Sequence, residues 1–94
     1  MSSRCYQIEF APAAKRQIKK LPRNIQKIII ERAEKLQMNP RPSGVKKLVG
    51  QHSLYRIALG DYRVIYKVDD NVLLVLIVKI GNRKDVYRGL SNLH

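Results

Sequence analysis

From Cys5 to Phe10 the chain alternates, with Tyr6, Ile8 and Phe10 on one side, the pattern of a half-buried strand. Pro12 then suits the first turn of a helix. Ala14, Ile18 and Leu21 form an apolar stripe at helical spacing, while Lys15, Arg16, Lys19 and Lys20 fall on the opposite face. Leu21-Pro22-Arg23-Asn24 breaks that helix and starts another, with Pro22 or Asn24 near its N-terminus. Ile25, Ile28, Ile29, Ala33 and Leu36 line one side of the second helix until Asn39-Pro40 stops it. So short a break predicts an antiparallel helical hairpin.

Residues 39–53 carry Pro40, Pro42, Gly44 and Gly50 and read as a basic connecting loop. The period then changes. Tyr55, Ile57 and Leu59 share one face of a strand, with Arg56 and Ala58 on the other. Gly60-Asp61 is a two-residue hairpin signal. In the next strand Tyr62, Val64, Tyr66 and Val68 point inward and Arg63, Ile65 and Lys67 outward. Asp69-Asp70-Asn71 marks a second turn. Val72 to Ile80 is almost wholly apolar, as in a central strand covered on both faces. The whole chain, 1–94, thus reads as one α+β domain: a strand, a helical hairpin, then a three-stranded antiparallel meander. The helices are expected on one face of an antiparallel sheet.

Charge changes the picture. Of 94 residues, 19 are Lys or Arg and seven are Asp or Glu, a formal net charge of +12. Residues 1–50 hold twelve bases against three acids, so most of the excess lies early. Such a body seeks a polyanion: nucleic acid, an anionic membrane or an acidic protein. The single cysteine permits no internal disulfide, which fits a reduced, cytoplasmic setting. Cys5, His52 and His94 are too few soft ligands for structural zinc, and no metal or cofactor is expected. No apolar signal segment follows Met1-Ser2-Ser3-Arg4-Cys5. The longest apolar run, Val72 to Val78, is far short of the roughly 20 residues that span a bilayer, so no membrane role is expected.

By alternation, Arg56, Ala58, Arg63 and Lys67 face away from the helices, and Arg83 and Tyr87 follow the last strand. Arginines and a tyrosine on one open face suit phosphate binding, although a solvated face of a basic protein has the same pattern. Tyr55, Tyr62 and Tyr66 fall on the inner face and read as core. Cys5 reads as a small, partly buried side chain, and Asp61 as a turn residue.

Three stretches carry a resemblance: Lys47-Leu48-Val49-Gly50, then Leu54 through Tyr66, then Ile80-Gly81-Asn82-Arg83-Lys84-Asp85-Val86-Tyr87. With the Lys-Lys-Leu-Pro junction at residues 19–22, they make the chain resemble the RelE/ParE toxin superfamily, on the RelE side. The resemblance implies a RelE-like fold and the toxin of a type II toxin–antitoxin pair. RelE-type members cut mRNA in the ribosomal A site; ParE-type members poison DNA gyrase. It also implies an acidic, RelB-like antitoxin as partner, with the ribosome and mRNA as targets.

Carried over residue by residue, Arg56 matches a basic residue of the catalytic pattern and Arg63 the arginine on the scissile phosphate. Arg83 matches the arginine near the leaving group, and Tyr87 the tyrosine near the C-terminus. Two positions depart: Ala58 stands where the pattern has a second lysine, and Val49 where it has an arginine. A metal-independent endoribonuclease of this kind would use the RNA's own 2′-hydroxyl and leave a 2′,3′-cyclic phosphate. Lys15, Lys19 and Lys20 would meet ribosomal RNA, and Lys46, Lys47 and Lys84 would position phosphates. The alternatives are a gyrase-poisoning toxin and a non-catalytic nucleic-acid-binding relative.

Overall fold

The computed structural model describes residues 5–48 and 54–86. Its elements run β1 (Gln7–Phe10), α1 (Pro12–Lys19), α2 (Arg23–Lys35), β2 (Lys46–Lys47), β3 (Leu54–Leu59), β4 (Tyr62–Asp69) and β5 (Leu74–Asn82). The strands form one sheet in the order β1-β5-β4-β3-β2. The meander β3-β4-β5 is antiparallel, as its turns require. β1, however, pairs parallel with β5, so the sheet is mixed rather than antiparallel.

Both helices start at proline, which supplies a fixed backbone angle and lacks a donor that the first turn would leave unpaired. Pro12 occupies the first turn of α1, and Pro22 caps α2. Arg16 and Lys19, then Arg32 and Lys35, lie in the last turns, where cations complement the helix dipole. Ala14, Ile29, Ala33 and Leu36 pack on Ile57, Val64, Tyr66, Val68, Val75, Ile77 and Ile80, forming the main core on one sheet face. Ile28 does not join it. It is 42% exposed.

A bulge sits where β5 faces the centre of β4. Ile65 pairs with Lys79, yet the next residue, Tyr66, pairs with Ile77, so Val78 is the extra residue. This parity change lets Ile77 and Ile80 both enter the core. β1 ends opposite Ile77, and Gln17 of α1 accepts the Ile80 N–H at 2.7 Å in place of a strand.

Two further corrections have local causes. Val72 and Leu73 belong to the turn before β5, not to the strand. Leu73 adopts φ +52°, and its carbonyl accepts the Gln7 N–H at 2.8 Å. β2 appears inside the stretch expected to be loop, because a strut holds that stretch against the sheet. Tyr66 donates its hydroxyl proton to the Pro40 carbonyl at 2.7 Å. Arg41 pairs with Asp70 at 2.8 Å and donates to the Tyr55 hydroxyl at 2.9 Å. Tyr6 closes the group by donating to Asp70 at 2.6 Å, which raises the Tyr6 pKa because the neighbouring carboxylate disfavours a phenolate. Burial drives the Tyr66 hydroxyl well above the usual tyrosine range. With the loop anchored, Lys46 and Lys47 can pair with Arg56 and Tyr55. Cys5, expected to be partly buried, is exposed.

Candidate functional site

Residues paired across neighbouring strands share a sheet face, so the register fixes which side chains stand together. On the face away from the helices, one row runs Lys46, Arg56, Ile65, Lys79 from β2 to β5. The next row towards the hairpin tip runs Ala58, Arg63, Gly81. The row on the other side runs Leu54, Lys67, Leu76, Glu9. Arg56 and Arg63 therefore lie on one face in diagonal register, as the alternation implied.

That face is less open than the sequence suggested. Leu54, Ile65 and Val86 form a second, small core there, with Leu48 and Val78 packed against it. Ile65, expected to point outward, is 0% exposed. The cations thus surround an apolar floor and are themselves half-buried at Arg56, Arg63 and Lys79. Fixed charges beside an apolar, partly dewatered surface attract an anion more strongly than charges in open water.

The hairpin tip assembles the rest. Gly60 takes φ +61° at the first turn position, which fits a type II′ turn and favours glycine. Arg63 donates through Nη1 to the Gly60 carbonyl at 2.8 Å and the Tyr62 carbonyl at 2.9 Å. Its Nε is buried with no partner among the described residues. The Arg83 N–H donates to the Asp61 carbonyl at 2.7 Å, pinning the chain after β5 to the same turn. The Arg83 side chain is 56% exposed, and its Nε lies 3.9 Å from Asp61 Oδ1. One tight turn therefore locates both arginines. Asp61 serves that turn and steadies Arg83.

Lys84 lies beside Arg83 in the turn that ends β5 and is exposed. Lys46 joins the Arg56 row, whereas Lys47 pairs with Tyr55 and faces the helix side. Lys15, Lys19 and Lys20 are exposed on and just after α1, across the sheet from Arg56 and Arg63. Tyr87, His52, His94 and Val49 lie outside the described residues. Lys79 was missed by reading the sequence. Its one signal is a lysine inside an otherwise apolar strand, and strict alternation would have pointed it into the core.

Fold and site together define a class: a small, strongly basic α+β protein with arginines grouped on one sheet face. The family described as "ParE toxin of type II toxin-antitoxin system, parDE" matches residues 8–87. Toxin RelG of Mycobacterium tuberculosis is 33% identical over 87 residues, covering 88% of this chain and 97% of that one. A putative RelE-like toxin protein of Escherichia coli is 34% identical over 87 residues, covering 87% and 90%. Among solved structures, the RelE–RelB complex of Pyrococcus horikoshii aligns with a TM-score of 0.76 at 30% identity, covering 87% of this chain and 99% of that one. The intact E. coli RelBE toxin–antitoxin complex aligns at 0.74 and 25% identity, covering 82% and 95%. The chain belongs to the ParE toxin family of type II toxin–antitoxin systems, within the RelE/ParE superfamily. Among the described residues, no helix is long and apolar enough to cross a membrane.

Proposed function

We propose that this toxin is a ribosome-dependent endoribonuclease that cuts mRNA in the ribosomal A site and so stops translation. The observation that carries the reading is that Arg56 and Arg63 share one sheet face while Arg83 is pinned to the hairpin turn that holds Arg63. In the reaction the 2′-oxygen attacks phosphorus and gives up its proton. The bond from phosphorus to the 5′-oxygen breaks, and that oxygen takes a proton, leaving a 2′,3′-cyclic phosphate and a 5′-hydroxyl. Arg56 and Arg63 would hold the charge that builds on the phosphoryl oxygens. Arg83 would neutralise the leaving oxygen. Tyr87 would stack on a base or help move a proton.

Arginines stay protonated, and the methyl of Ala58 moves no proton. The ribosome would therefore complete the site by fixing the RNA in line. Lys15, Lys19, Lys20, Lys46, Lys47 and Lys84 would hold ribosomal and messenger phosphates from two sides of the protein, without metal or cofactor. A ribosome-bound target would put this activity in the cytoplasm. Mapping cuts on mRNA with purified toxin, with and without ribosomes, tests the reading. One observation favours a second: the matching family carries the ParE description. A ParE-like toxin would poison gyrase, and a supercoiling assay reads that activity directly.

The similar solved structures include complexes of RelE with RelB, which supports an antitoxin partner. Against a protein of charge +12, the matching antitoxin is acidic with an amphipathic helix. Its affinity should fall at least tenfold between about 0.05 and 0.5 M salt, as screening weakens the charge pairs. Titration calorimetry across that range checks this. An affinity indifferent to salt contradicts it.

A further inference from the structure

β1 stops opposite Ile77, yet β5 runs on to Asn82. Past that point the edge of β5 is met by α1. Gln17, half-buried in the last turn of α1, accepts the Ile80 N–H through Oε1 at 2.7 Å. Ile80 is buried, and a backbone donor there needs an acceptor from the protein.

Three residues further on stands Arg83, in a segment tied from the other side. The Arg83 N–H donates to the Asp61 carbonyl at 2.7 Å, and the Asn82 carbonyl accepts the Asp85 and Val86 N–H groups, both at 2.9 Å. Asn82 Oδ1 accepts the Lys84 N–H at 2.9 Å. The end of β5 is thus moored to α1 on one side and to the hairpin turn on the other. At 3.9 Å the Asp61 carboxylate holds the Arg83 side chain weakly, so the backbone that carries Arg83 decides where its charge stands.

We propose that Gln17 is a positioning residue, holding the end of β5 so that Arg83 meets the leaving oxygen. This rests on the reading of the protein as a nuclease with Arg83 in its site. Gln17 touches no substrate. Its amide oxygen fixes Ile80, and Ile80 fixes the short turn from which Arg83 projects. Without that acceptor the end of β5 loses one of its two moorings, and an error of about an ångström at Arg83 is enough to cost a hundredfold.

The test compares Gln17→Met, which keeps the length and loses the acceptor, with Gln17→Glu, which keeps an oxygen there. Gln17→Ala, run in parallel, removes the acceptor with less bulk. Amide hydrogen exchange of the intact protein comes first and needs no cleavage. Met and Ala should speed exchange at Ile80 and Arg83 by about tenfold, while β3 keeps its wild-type rates and Glu stays within about twofold. Single-turnover cleavage on saturating programmed ribosomes comes second. Met should slow it by on the order of ten- to a hundredfold, and Glu by less than about threefold. In an Arg83→Ala background the same Met change should cost less than about threefold, because the group it positions is gone. Equal losses with and without Arg83 mean a structural role only and overturn the proposal. So does an Arg83 exchange rate that neither Met nor Ala changes. A wild type that cuts nothing, with Arg83 exchange still responding, keeps the mooring and refutes the nuclease reading. A wild type that cuts, while neither exchange nor the double variant responds as expected, does the reverse.

Discussion

Arg83→Ala should lower cleavage on programmed ribosomes by about 10²–10³-fold, the usual loss when a charge-stabilising donor is removed. Its fold should hardly change. The side chain is more than half exposed, and the Asp61 carboxylate lies 3.9 Å away. The bond that pins this segment to the hairpin comes from the backbone N–H and survives the substitution. Stability should therefore move by no more than about 0.5 kcal/mol, and the thermal midpoint with it. Arg63→Ala is a poorer probe, because its side chain donates to two carbonyls of the hairpin. Removing it loosens the turn that locates both arginines, and rate and stability fall together. Single-turnover cleavage and thermal denaturation of the two variants separate these effects. An Arg83→Ala protein cutting at the wild-type rate would remove Arg83 from the site.

Ile65→Ala should reduce both stability and activity. The side chain is fully buried, although it sits on the face that carries the arginines. Truncating a buried isoleucine costs roughly 2–5 kcal/mol, a large part of the 5–15 kcal/mol typical of a whole domain. Leu54, Val86 and their neighbours would close partly over the gap, shifting the floor on which Arg56 and Lys79 stand. The midpoint of denaturant unfolding should drop sharply. Well below that midpoint, cleavage should still be slower by tenfold or more, since an error of about an ångström in a positioned group can cost a hundredfold. A folded Ile65→Ala protein with full activity would show that the apolar floor does not seat the cations.

Legibility in the sequence followed the range of the forces involved. Both helices, the β3-β4 hairpin and its Gly60-Asp61 turn arise from local spacing and turn chemistry, and each stands where the pattern put it. Arg56 and Arg63 were equally legible, since alternation alone sends them to one face. Parallel pairing of β1 with β5 was not, because nothing within Gln7–Phe10 names its partner. Two lysines make an unpromising strand, and β2 exists only because Arg41, Asp70, Tyr55 and Tyr66 hold the preceding loop. The start of β5 was hidden inside an apolar run that continues through the turn at Val72 and Leu73. The bulge was hidden for the opposite reason. It violates the alternation from which faces are read, and Lys79 is the residue it moves. Ile65 read as exposed because its cover, Val86 and Leu48, comes from segments distant in sequence.

In the proposed reaction Arg56 and Arg63 on one sheet face, with Arg83 beside the Gly60-Asp61 turn, cut RNA that the ribosome holds in place. Primer extension on a defined mRNA, incubated with purified toxin alone and with programmed ribosomes, tests it most directly. Cuts should appear within the A-site codon when ribosomes are present, leave a 2′,3′-cyclic phosphate, and disappear with Arg83→Ala. Free mRNA should stay intact over the same interval, and gyrase supercoiling should be unaffected. No cuts on ribosome-bound mRNA, with supercoiling blocked by the same preparation, would contradict the account and make the protein a gyrase poison.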